Sequence, residues 1–108
     1  MNTKRTSVKY RDFKDYNLEK LRDKKEARLY LSLALEEYEQ DGDVKALLLA
    51  LRDVAEAQGG ISKLAERTSL NRQNLYKALS SHGAPRFETV GTILRALGFR
   101  LSVEPMSA

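Results

Sequence analysis

The chain has 108 residues, 42% of them hydrophobic, with no Cys, no Trp and one histidine, His82. That length supports one domain with one modest core, and the missing thiols exclude disulfides, cysteine zinc sites and cysteine nucleophiles. The net charge of +4 is unevenly spread: residues 1–25 carry +5, residues 26–56 carry −5 and residues 61–108 carry +4, a division that points to two different partners.

In chain order, residues 1–16 are expected to form a basic, flexible arm, with Leu18 and Leu21 in a short turn. Asp23-x-x-Glu26 has the spacing of a capping box. Behind it Ala27, Tyr30, Leu31, Ala34, Leu35 and Tyr38 recur every three or four residues, predicting an amphipathic helix that ends near Gln40. Asp41-Gly42-Asp43 breaks it, Asp43 is placed to cap the next helix, and Ala46, Leu47, Ala50, Leu51, Val54 and Ala57 form a second apolar stripe. Gly59-Gly60 ends that helix, since glycine takes a left-handed cap without steric cost. Ser62 is placed to cap a short helix through Arg67, Thr68-Ser69-Leu70 turns the chain, and Asn71 opens a helix from Arg72 to Leu79. Pro85 is expected to start the following helix, with Phe87, Val90, Gly91, Leu94 and Leu97 on its inner face and Gly98 at its end. Phe99, Leu101 and Val103 then alternate with polar residues as in a strand. Such a strand needs a partner, either Thr6–Tyr10 of the same chain or the same segment of a second subunit. The expected fold is all-α: a compact bundle of about five helices over residues 17–98, with a C-terminal strand and tail over residues 99–108.

The longest apolar run, Ala46–Leu51, is far short of the roughly 20 residues a membrane span requires. The polar, basic stretch Met1–Arg11 predicts no secretory signal, so a cytoplasmic protein is expected. Glu36, Glu37, Glu39, Asp41 and Asp43 cluster, but at a helix end and a turn, without an apolar pocket or a histidine to perturb them; solvated acids are the expectation. His82 lies in a loop, and Gly59-Gly60 lacks the spacing and lysine of a phosphate loop. No catalytic residue, metal site or cofactor is expected, and the chain is not read as an enzyme.

The stretch from Ile61 to Leu79 is the informative one. Leu64, Leu70, Leu75 and Leu79 are the apolar side of two short helices, and a small residue at Ala65 lets them cross closely. The outward side of the second helix carries Arg72, Gln73, Asn74 and Lys77. Guanine offers two major-groove acceptors suited to Arg or Lys, and adenine a donor and acceptor suited to Asn or Gln. Ser62 and Lys63, at the start of the preceding helix, are placed for backbone phosphate, and Arg86 and Arg95 on the flank are candidates for it. Asn71, which opens the second helix, is counted with the DNA-binding set, and Tyr76 has two readings, its hydroxyl on a phosphate or its ring covering the core. No acidic residue occurs in the 21 positions from Arg67 to Phe87, as a phosphate-facing surface requires.

Ser62-x-Leu64-Ala65-x-x-Thr68-x-Leu70-Asn71-x-x-x-Leu75 resembles a helix-turn-helix of the phage-repressor (Cro-like) type, with Ser69 where many such proteins have glycine. Together with Pro85-x-Phe87-x-Thr89-Val90 and Leu94-x-Ala96-Leu97-Gly98, the run is similar to the antidote proteins (antitoxins) of bacterial addiction modules over roughly Phe13 to Pro105. The resemblance implies a homodimer that binds operator DNA, represses its own operon and neutralises a co-expressed toxin, usually of the RelE/ParE/HigB type. The acidic middle, Glu26–Glu56, is then the candidate surface for the toxin. Two other readings stand beside it: a phage-type transcriptional regulator without a toxin, and a helix-turn-helix module used only to bind protein.

Overall fold

A computed structural model describes residues 18–80 and 82–107; the expected basic arm over residues 1–16 lies outside them. A helical turn over residues 18–20 leads into five helices. These are α1 (Lys24–Asp41), α2 (Lys45–Ala57), α3 (Gly60–Thr68), α4 (Arg72–Ala78) and α5 (Phe87–Ala96).

Asp23 caps α1 by accepting the Lys25 amide at 2.8 Å. The reciprocal half of the expected capping box is not made. The Asp23 amide donates instead to the Lys20 carbonyl, and Glu26 pairs with the Lys20 ammonium at 3.7 Å. Ala27, Leu31 and Ala34 are buried, but the stripe leaves the core beyond them: Leu35 and Tyr38 are substantially exposed. Gly42, in the left-handed conformation, ends the helix by donating to the Tyr38 carbonyl. Asp41 then accepts the Asp43 amide and Asp43 the Lys45 amide, so the Asp43 carboxylate serves the start of α2 although Val44 is the boundary residue.

The central helix is α2, which packs on α1 and α3 and buries Leu48, Ala50, Leu51, Val54 and Ala55. It also buries Asp53, 4% exposed, which accepts a hydrogen bond from the Tyr30 hydroxyl of α1 at 2.7 Å. At its end the Gln58 side-chain Nε2 donates to the carbonyls of Leu21 and Arg22, holding the segment before α1 against the body. Gly59 and Gly60 have φ of 122° and 90°, two successive positive angles that a side chain would resist. They reverse the chain directly into α3, which begins at Gly60, so Ser62 is not a cap but a residue of the first turn.

From α3 the core passes to α4 through Leu64 and Leu75, and to α5 through Ile93, Leu94 and Leu97. Pro85 does not start α5. Arg86, with extended backbone angles, is the cap, and the helix opens at Phe87 with Glu88 in its first turn, where a carboxylate suits the positive end of the helix dipole. Phe87, expected inward, is 77% exposed, because the first helical residue precedes the turn that meets the core. At the other end Lys24 of α1 reaches α5: its ammonium donates to the Leu97 carbonyl at 2.9 Å and sits 5.6 Å from the centroid of the Phe99 ring.

Beyond Phe99, whose amide closes on the Leu94 carbonyl, the expected strand does not form. Residues 101–107 have no regular structure, and Val103 and Met106 are almost fully exposed. A single strand has no ladder to join unless a second supplies it, and the same-chain candidate, Thr6–Tyr10, lies outside the described residues. Among the described residues the fold is all-helical.

Candidate nucleic-acid interface

The unit α3–turn–α4 is built around one hydroxyl. Thr68, the last residue of α3, donates from Oγ1 to the Leu64 carbonyl at 2.8 Å and accepts the Leu70 amide at 3.2 Å. Ser69 takes φ 64° and ψ 15° and returns its amide to the Ala65 carbonyl. Ser69, where many helix-turn-helix proteins have glycine, thus takes the left-handed conformation itself, held from both sides by Thr68 and by the C-terminus of α3. Asn71 then caps α4, its side chain accepting the Asn74 amide at 2.7 Å.

These constraints set the rotation of α4. Leu75 and Leu79 are 0% and 2% exposed, and Leu70 and Ala65 pack partly buried against the same cluster. With those residues inward, Arg72, Gln73, Asn74, Tyr76 and Lys77 are all exposed. Ser62 and Lys63 are exposed on the first turn of α3, and the stem of Lys63 lies beside Gly59. Among the described residues the side chains of Lys63, Arg72, Gln73 and Lys77 enter no hydrogen bond or ion pair, so their donors face solvent. The structure thus brings Asn71, Arg72, Gln73, Asn74 and Lys77 onto one short helix and its cap. Arg86 is exposed as the cap of α5, and Arg95 is exposed near its far end.

A depression continuing from this face was not anticipated. It is lined by Asn74, Lys77, Ser80, His82, Arg86 and Thr89, among others, and Gly83 is part of its wall. That glycine sits so close to the end of α4 that an added Cβ would come within van der Waals radii of the Lys77 and Ala78 carbonyl oxygens. The acid-free interval was the sequence signal for this surface, but the chain path that places Thr89 beside Lys77 depends on the α4–α5 loop.

No solved structure matches the chain. An uncharacterised protein of Haemophilus influenzae (strain Rd) is 36% identical over 92 residues, 84% of this chain and 90% of the relative. A family model described as "probable addiction module antidote protein" matches residues 12–105. With nearly the whole chain covered by that model and by a relative of similar length, the protein belongs to the family of addiction module antidotes.

Proposed function

We propose that the chain is a sequence-specific DNA-binding antitoxin of the Cro-like helix-turn-helix type. On this reading it neutralises a RelE/ParE/HigB-type toxin and represses its own operon as a cytoplasmic homodimer. The observation that carries the DNA reading is the exposed row of Arg72, Gln73, Asn74 and Lys77 on a helix whose opposite side is locked in the core by Leu75 and Leu79. An α-helix presented in this way fits the major groove with its first turn toward base edges. Ser62, Lys63, Asn71 and Tyr76 surround it and are assigned to backbone phosphate, which fixes register without reading sequence.

The toxin follows from the family, since an antidote implies something to neutralise. The RelE/ParE/HigB class and the autorepression come from the resemblance in sequence. The homodimer rests on the exposed, alternating tail Leu101–Val103, which lacks a pairing partner within the described chain, and on the two-fold symmetry that palindromic half-sites demand of a repressor.

Footprinting the purified protein on DNA immediately upstream of its own gene tests the proposal. A protected, roughly palindromic site is expected. Arg72→Ala or Gln73→Ala should cost about 1–3 kcal/mol of binding and relax preference at one base position. Unaltered operator binding by both variants would assign recognition to another surface.

A further inference from the structure

We propose that the groove between α1 and α2 is where the antidote holds its toxin, and that the toxin inserts an amphipathic helix whose apolar ridge is flanked by lysine or arginine. The proposal rests on the antitoxin reading above and adds to it the surface and the chemistry of what that surface takes.

The groove is lined by residues of α1 and α2 alone, with Tyr30, Leu33, Ala34, Leu49 and Ala50 supplying its apolar part. Leu33 is 61% exposed and Leu49 42%, and Leu29, one turn before Leu33, is 52% exposed. Among the described residues these leucines, at helical spacing, leave about half of their surface uncovered, and adjoining exposed apolar side chains mark a contact surface. Two helices packed side by side leave between them a furrow that a third helix fills with residues spaced three and four apart.

Charge selects the occupant. Glu36 and Glu37 line the same groove, and Asp41 and Asp43 line the depression that continues from it past Leu49. Among the described residues the bases lining that depression are Lys45 and Arg52, and Arg52 faces Glu56 at 3.9 Å. A rim of this sign repels a polyanion, so nucleic acid is excluded here, whereas lysine or arginine beside an apolar ridge meets both features of the groove. Because α3 and α4 contribute nothing to it, a helix seated there leaves Arg72, Gln73 and Lys77 uncovered.

The test uses the full chain, operator DNA and the purified product of the gene adjoining its own, with affinities measured by isothermal titration. Leu33→Gln combined with Leu49→Gln should weaken partner binding at least about 100-fold, the loss expected when central apolar anchors are removed. Glu36→Lys with Glu37→Lys should weaken it at least about 10-fold and flatten its salt dependence, as for charges at an interface rim. Both double variants keep the wild-type operator footprint, and Phe87→Gln, outside the groove, keeps wild-type partner affinity. Should the leucine pair fail to fold, the charge reversal, which touches only solvent-facing carboxylates, decides alone. Wild-type partner affinity in the groove variants, or an equal loss in Phe87→Gln, overturns the groove. Failure of the wild-type chain to bind the neighbour while it still protects its operator overturns the toxin reading itself, and the groove with it.

Discussion

Tyr30 and Asp53 meet across the α1–α2 contact at 2.7 Å, with the carboxylate 4% exposed. A buried charge is tolerated only when donors compensate for lost water. Tyr30→Phe should therefore cost about 1.5–3 kcal/mol, the range for hydrogen bonds to charged groups, read as a lower urea midpoint at unchanged slope. A loss under about 0.5 kcal/mol would mean that Tyr30 contributes little to holding that carboxylate. On the proposed DNA-binding face, Lys63 is exposed without a partner of its own among the described residues. Lys63→Ala should weaken binding to all sequences alike and reduce the slope of log affinity against log salt by about one unit, the signature of a phosphate contact. Equal slopes for wild type and variant would remove Lys63 from the interface.

At the scale of elements, the α3–α4 turn shows how a sequence replaces glycine. Ser69 accepts φ 64°, which costs an L-residue about 1–2 kcal/mol, while the Thr68 hydroxyl secures the carbonyl and amide on either side. Ser69→Gly should raise stability by roughly 0.5–1 kcal/mol, the strain removed less the greater entropy of an unfolded glycine, with operator affinity retained. Gly83 is the opposite case. A methyl group there meets two carbonyl oxygens of α4, so Gly83→Ala should destabilise by about 1–3 kcal/mol and disturb the angle of α4, lowering operator affinity together with melting temperature.

Helix positions, the Asn71 cap and the outward set Arg72, Gln73, Asn74 and Lys77 were legible because 3.6-residue periodicity and capping chemistry are local signals. Other features were not. Leu35, Tyr38 and Phe87 read as inward because periodicity gives the direction of a face but not how far the neighbouring helix extends to cover it. Ser62 read as a cap because its side chain suits one, while the paired glycines had already begun the helix two residues earlier. Tyr30–Asp53 and Lys24–Leu97 join residues 23 and 73 positions apart, and no local pattern encodes such a distance.

At the scale of the molecule, the chain divides its surface by charge. Its basic row lies on α4 and its acidic rim along α1 and α2, so the two proposed partners have separate places to bind. Two-fold assembly belongs to this scale as well. Removing residues 99–108 should convert the proposed dimer to a monomer by sedimentation and reduce operator affinity steeply, since half-site affinities multiply only when the two recognition helices are joined. A truncated chain that remains dimeric would place the interface elsewhere. Phe99 packs partly buried against the core, so a variant with Leu101→Ser and Val103→Ser separates loss of pairing from loss of folding. The clasp between Lys24 and the Leu97 carbonyl bears on topology too. It brings the entrance to the first long helix and the exit from the last within one side chain of each other, so a short peptide linker can bridge residues 23 and 99 while the chain is reopened at the exposed Gly42 corner. Such a circularly permuted protein lacks Leu21 of the core and the tail beyond residue 99. It should therefore keep its helical fold with a lower melting temperature and bind the operator only as weakly as the chain truncated after residue 98.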